Sequence, residues 1–347
     1  MVEASDLMPH TTTPNSLGAL GEFGLIEQLK RQLRPRSPQV LRGIGDDAAL
    51  LHHHPSTHHL VVTTDLFVEG IDFLRHLSPW RDIGYKATVA NISDIAAMGA
   101  APRFMLVGLA IPGNMTPQNI RHLYQGMQQA SRPYQIDIVG GDLSASPSGL
   151  TIAITLFGGV EPGLALTRDG AKVGDLIYIS GTLGDAKAGL DLLLKRSDDP
   201  RWKKLIHRHR RPTARVELGR LLSRRKVASA AIDVSDGLSG DLQHVCTASG
   251  VGAVLQELAL PISSGCRRYA KSRHQQATEL ALAGGEDYEL LFTIHPRDRS
   301  RLARIAKAVD CPLTCIGTIV PRARGLILET RDGTHRPLVT TSYRHFS

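Results

Sequence analysis

Apolar and polar positions fall into two rhythms along this chain, one helical and one strand-like. From Glu22 the run EFGLIEQLKRQL places Ile26, Leu29 and Leu33 on one helical face, and Pro35 ends it. Ala48 to Leu51 and Leu60 to Thr64 predict two strands joined by a histidine-rich loop. Ser78 and Pro79 predict the cap and first residue of a long helix, Trp80 to Met98. Ala87, Ala90, Ala96 and Ala97 give that helix a slim flank, which predicts a closely packed neighbour. Asn91 and Asp94, three apart, share a face, and such a polar pair on an alanine-rich helix reads as a binding feature. A strand at Arg103 to Ala110 follows, then a helix capped by Thr116-Pro117 that carries Ile120, Leu123, Tyr124 and Met127, then strands at Ile136 to Val139 and Leu150 to Phe157. The second half predicts a strand at Asp175 to Ser180, a helix after Gly181-Thr182-Leu183-Gly184, a strand at Ala230 to Val234 and a helix through Val245. A glycine turn and strand within Leu282 to Leu291, a helix over 297 to 309 and short strands over 313 to 338 complete it. Alternating strands and helices in both halves predict two α/β domains.

Length and charge refine this picture. A chain of 347 residues can bury two cores, and 21% charged with 42% apolar residues describes an ordinary globular protein. The expected division is an arm over 1–20, an N-terminal domain over 21–160 and a C-terminal domain over 161–347, with Gly158 to Gly163 as linker. A net charge of +8 points to anionic partners. The basic stretch Arg201 to Lys226 reads as a solvated helix face, and nucleic acid is not an expected partner. No run reaches the ~18 apolar residues of a membrane span, and residues 1 to 16 lack the marks of a signal peptide, so a cytoplasmic location is expected. Cys246, Cys266, Cys311 and Cys315 are too few and scattered for a disulfide framework or a zinc site. His52, His53, His54, His58 and His59 read as a solvated hairpin loop.

The chemistry is carried by aspartates. In GIGDDAALL (Gly43 to Leu51), Asp46 and Asp47 stand side by side against an apolar run. Two such charges about 4 Å apart repel by ~1 kcal/mol in water and by more near a protein surface, so a cation belongs there. Aspartate recurs at element ends in TTD (Thr63 to Asp65), NISD (Asn91 to Asp94), GGD (Gly140 to Asp142) and DVSDG (Asp233 to Gly237). Pairing the two strands of the histidine hairpin antiparallel brings Asp47 and Asp65 to one edge. Hard oxygen ligands from many element ends suit Mg²⁺, which commonly accompanies phosphates. Gly43 to Ala48 matches a loose G-x-G-x-x-A pattern, but two carboxylates would repel a bare pyrophosphate and the flanking elements are wrong for a dinucleotide fold. Lysine-bearing phosphate loops and protein-kinase motifs are absent, so a nucleotide would be bound through metals and glycine backbone.

GEFGLIEQL, GIGDDAALL, TTDLFVEGIDF, YKATVANISDIAAMGA, IVGGD, ALTRDGAKVGD, IDVSDGLSGDL, LAGGEDYELLFT and CIGTI, in this order from Gly21 onward, resemble the thiamine-monophosphate kinase family of the aminoimidazole ribonucleotide synthetase-like superfamily. The resemblance implies a two-domain fold of α/β (α+β) class, a homodimer paired through its N-terminal domains, and ATP-dependent phosphorylation of thiamine monophosphate to thiamine diphosphate. It also implies site residues. Asp47, Thr63, Thr64, Asp65, Asp94, Asp142, Asp233 and Asp236 would hold several Mg²⁺ ions, and Asp47, Asp65, Asp94, Asp142 and Asp233 would carry the catalysis. Tyr124, Gly141, Asp142, Arg168 and Ser235 would contact ATP, while Asp72, Glu286 and Tyr343 would face the thiamine portion.

Overall fold

The computed structural model describes residues 24, 26–27, 37–52 and 57–339. The expected arm over 1–20, most of the helix read from Glu22, His53, His54 and Tyr343 lie outside the described residues; Gly24, Ile26 and Glu27 are helical. The first half builds a six-stranded sheet from β1 (Val40–Arg42), β2 (Ala49–Leu51), β3 (His59–Val68), β4 (Ala101–Pro112), β5 (Asp137–Ser146) and β6 (Thr151–Val160). Its order is β1-β2-β3-β6-β4-β5. Helices α1 (Trp80–Ala97) and α2 (Pro117–Ser131) belong to this half.

The second half holds seven strands: β7 (Leu176–Ser180), β8 (Ala228–Asp233), β9 (Val251–Gln256), β10 (Leu290–Ile294), β11 (Leu313–Pro321), β12 (Leu326–Glu329) and β13 (His335–Pro337). They run in the order β13-β12-β9-β11-β7-β10-β8. Its helices are α3 (Asp185–Leu194), α4 (Lys203–Arg210), α5 (Val216–Arg224), α6 (Leu238–Ser249), α7 (Ser264–Ser272), α8 (Ala277–Ala283) and α9 (Arg299–Ala308). Both sheets are mixed: among the described strands, β4–β5 and β9–β12 pair in parallel and the other pairs are antiparallel. No helix among the described residues is long and apolar enough to cross a membrane.

The slim flank of α1 has two close neighbours. A Cβ added at Gly126 of α2 would stand 1.8 Å from the Arg81 carbonyl, and one at Gly219 of α5 would stand 2.0 Å from the Ala96 carbonyl. Glycine at those two points lets both helices approach the α1 backbone. Thr116 caps α2 as expected, accepting from Asn119 N at 3.2 Å. Ser78 does not cap α1; Pro79 occupies the cap position without a side-chain bond.

Several sequence expectations are corrected here. β5 runs through Gly140-Gly141-Asp142 instead of ending there, because parallel pairing with β4 continues to Pro112↔Ser146. Gly158 and Gly159 lie within β6 rather than in the linker. The basic stretch 201–226 is not one solvated face. Arg211 reaches Asp82 at 2.6 Å, Arg220 reaches Glu161 and the Gly99 carbonyl, both at 2.8 Å, and Arg215 grips buried Glu289 through two contacts of 2.6 Å. Arg211 and Arg220 tie the two halves together and Arg215 braces the second half internally, while Arg201, Lys203, Lys204, Arg224, Arg225 and Lys226 are exposed.

Candidate active site

Asp47 precedes β2, and the antiparallel register Ala49↔Val62 with Leu51↔Leu60 carries it to the same end as Asp65. Asp65 does not end its strand, since β3 continues to Val68 along β6. Alternation along β3 puts Thr63 and Asp65 on one face and Thr64 on the other. The Thr63 hydroxyl donates to Asp94 Oδ2 at 2.6 Å, whereas the Thr64 hydroxyl turns to β6 and donates to the Ile154 carbonyl at 3.1 Å. Asp94 comes from the last turn of α1. Its neighbour Ser93 donates to Asp233 Oδ2 at 2.6 Å, tying the end of β8 to the first half. Asn91 is packed away, its amide donating to the Ala87 carbonyl at 3.1 Å, so the expected binding pair is reduced to Asp94.

Asp47, Asp94 and Asp233 each bring one oxygen to within 4.8 Å of the others. Burial, reinforced by neighbouring acids, raises the affinity of Asp94 and Asp233 for protons. The Asp233 carboxyl is pushed up to about 8 by burial and by Asp47, against hydrogen bonding from Ser93 and the charge of Arg168. Asp94 is pushed well above the usual carboxylate range by burial and by Asp65, Asp233 and Asp47. Asp65 rises to about 6 through burial, then Asp72 and Asp236, and Asp46 to about 6 through burial and Asp47. Arg168 answers part of this charge, with Nη2 2.7 Å from Asp47 Oδ1 and Nε 3.2 Å from Asp47 Oδ2. One guanidinium against so many carboxylates leaves an excess of negative oxygen, a donor set that fits hard divalent cations.

These residues open into a cavity of about 820 Å³ lined from both halves. Asp82, Ile83, Lys86, Ala90 and Asp94 line it in succession, so the cavity follows α1; Asp82 and Asp94 are about 18 Å apart along the helix axis. Thr63, Thr64, Asp65, Asp72, Arg168, Ser235, Asp236 and Glu286 also line it, together with apolar side chains including Leu74, Leu77, Leu190 and Leu193. The Asp72 carboxylate accepts from Val68 N at 2.7 Å. Glu286 is held well down, to about 2: burial opposes this, but the Lys86 ammonium and the His209 ring outweigh it.

Three expected residues do not line this cavity. Gly141 and Asp142 lie on edge strand β5, three strands and about 14 Å across the sheet from β3, and half-buried Tyr124 packs on the first core from α2. Conversely, Asp46 takes part beside Asp47, as the paired carboxylates suggest, and Lys86, Ser93 and His209 take part although no sequence motif marks them as site residues. Lys86 could have been noticed as a lysine on an otherwise apolar stretch of α1, whereas the Ser93 contact arises only from packing across the halves.

The chain matches the AIR synthase related protein N-terminal domain over residues 45–160 and the corresponding C-terminal domain over 172–328. It is 38% identical over 334 residues to the thiamine-monophosphate kinase of Bacillus subtilis, covering 94% of this chain and all of that one. The chain belongs to the thiamine-monophosphate kinase family. The Salmonella typhimurium member is 40% identical over 332 residues, covering 95% of this chain and 99% of that one. A solved structure of the family, AaThiL complexed with AMPPCP and TMP, is 34% identical and superposes with a TM-score of 0.84 over 95% of this chain and 98% of that one.

Proposed function

We propose that this chain transfers the γ-phosphoryl group of ATP to thiamine monophosphate, giving ADP and thiamine diphosphate, with several Mg²⁺ ions held by its aspartates. The convergence of Asp47, Asp94 and Asp233 in the lining of a two-sided cavity carries this reading. It is supported by membership of a family whose relatives are named thiamine-monophosphate kinases and by a family structure complexed with AMPPCP and TMP.

A phosphate oxygen of the acceptor, already ionised at neutral pH, attacks the γ-phosphorus as the bond to the β-phosphate oxygen breaks; no general base is required. Asp47, Asp65, Asp94, Asp233 and Asp236, with the Thr63 hydroxyl and residue Thr64, would hold the ions. Bound there, Mg²⁺ would neutralise phosphate charge and help align the two phosphates. Arg168 and Ser235 would contact the nucleotide, Arg168 through a charge-assisted fork on phosphate. Asp72 and Glu286 would face the thiamine portion, and Tyr343 is proposed to join them.

The remaining residues suggest an assembly. Phe104, Leu106, Val139 and Leu143 expose apolar surface on β4 and β5, and we assign this region to pairing of two N-terminal domains in a homodimer. Asp142, Gly141 and Tyr124 would then serve the partner's nucleotide. The decisive assay for the reaction combines purified protein, Mg²⁺, ATP and thiamine monophosphate, with chromatography for thiamine diphosphate. Absence of that product, with ADP formed only from another acceptor, would overturn the reading.

A further inference from the structure

Lys86 is a buried cation of the cavity, 5% exposed, to which the reading above gives no task. Its ammonium meets one oxygen of Glu286 across the cleft, and His209 Nδ1 lies 3.2 Å from the other. The segment bearing Glu286 is fixed from several sides. Glu286 adopts φ +66, a conformation that residues with side chains seldom take, and its N–H donates to the Ser235 carbonyl at 2.7 Å. Tyr288 N–H donates to the Val234 carbonyl at 2.9 Å. Asp287 accepts from Gly184 N at 2.7 Å and Ala186 N at 3.2 Å, while Glu289 accepts from Arg208, Arg215 and Ser180. Asp287 and Glu289 therefore anchor the segment, and Glu286 is the acid delivered to the cavity.

We propose that Lys86 is a positioning residue for acceptor recognition: reaching from α1, it holds Glu286 aimed and ionised, so that Glu286 accepts a hydrogen bond from the amino group of the acceptor's heterocycle. The inference rests on the kinase reading. A carboxylate offers about four acceptor positions, so the contacts to Lys86 and His209 leave room for a ligand N–H. Because the ammonium already balances its charge, Glu286 contributes little as a bare counter-charge to the cationic thiazolium. What it retains is direction, and a charge-assisted hydrogen bond depends on direction.

The test compares the parent protein with Lys86→Met, Lys86→Arg and Glu286→Gln. The acceptors are thiamine monophosphate and an analogue carrying hydrogen in place of the pyrimidine amino group. The parent should prefer the amino compound by about 10- to 100-fold in kcat/KM. Lys86→Met should raise KM for thiamine monophosphate about tenfold or more and largely erase that preference while KM for ATP stays put, and Lys86→Arg should restore most of both. Retained preference in Lys86→Met, or equal rises in KM for ATP and acceptor, overturns the proposal. If circular dichroism finds Lys86→Met unfolded, Glu286→Gln decides: lost preference supports the role and retained preference removes it. Calorimetric titration of both acceptors needs no turnover. Discrimination in binding that depends on Lys86 but leads to no product removes the kinase reading and keeps this one, and binding of neither compound removes both.

Discussion

At the scale of single residues, the site is a set of acids held closer together than they would choose without a cation. Asp65 lies in a strand beside Asp72 and Asp236, and its carboxyl rises to about 6. Asp65→Asn should therefore lower turnover at least about a hundredfold and weaken Mg²⁺-ATP binding, by loss of a ligand. Its melting temperature in EDTA should equal or exceed that of the parent, because a repelling charge has been removed; unchanged activity would take Asp65 out of the site. The same electrostatics set a pH dependence. A carboxyl such as Asp233, raised to about 8 in the folded chain, binds its proton more tightly when folded than unfolded. Its contribution to stability is present at low pH and is lost as pH rises from the ordinary carboxylate range to about 8. Melting temperatures in EDTA should fall across pH 5 to 8, and excess Mg²⁺ should flatten that fall; parallel curves would contradict it. Much of this layer was legible in the sequence, because the D-D, T-T-D and D-V-S-D runs announce acids on or beside strands, although Asp65 proves to lie within its strand and not at the end. The Ser93 contact with Asp233 and the Lys86 and His209 contacts with Glu286 were not, since no local spacing predicts which helix residue meets a segment far along the chain.

At the scale of elements, α1 organises the cleft. It is packed at glycines by α2 and α5, supplies the Thr63-bonded Asp94, and runs along the cavity wall. Its alanine flank foretold close neighbours but not their identity, because α5 joins it only through tertiary packing. The propensity scale makes alanine a better helix former than glycine, so Gly219→Ala would by local preference stabilise α5. A Cβ there meets the Ala96 carbonyl at 2.0 Å, so the sign should reverse. We expect a fall in melting temperature of roughly 2 to 8 °C, from overpacking of about 1–3 kcal/mol, read by calorimetry. A rise would mean that the two helices stand further apart. The basic stretch was misread at this scale for a related reason: a row of arginines looks solvated until Glu289, Glu161 and Asp82 arrive opposite it.

At the scale of the whole molecule, the two halves share one cavity, and edge strand β5 carries Asp142 away from it. If two copies pair through their N-terminal domains, Asp142 completes the neighbouring site, and this has a numerical signature. Asp65→Asn and Asp142→Asn should each be inactive alone, yet dissociated and reassembled together they should regain about a quarter of parental activity, because half the dimers are mixed and each has one intact site. No recovery would place Asp142 in its own chain's site or outside catalysis. Light scattering should report a dimer, and Leu143→Glu should shift it toward monomer. The two-domain fold could be anticipated from alternating strands and helices, but strand order could not, because pairings such as Thr318↔Val254 join segments with no local cue between them.

The fork of Arg168 over Asp47 bears on how this protein comes into being. Some metal-dependent domains remain unfolded until an ion arrives. Here the polypeptide brings its own counter-ion to Asp47, so we expect a newly made chain to close its acidic cleft even in EDTA, with the proposed Mg²⁺ ions binding afterwards to a structure already standing.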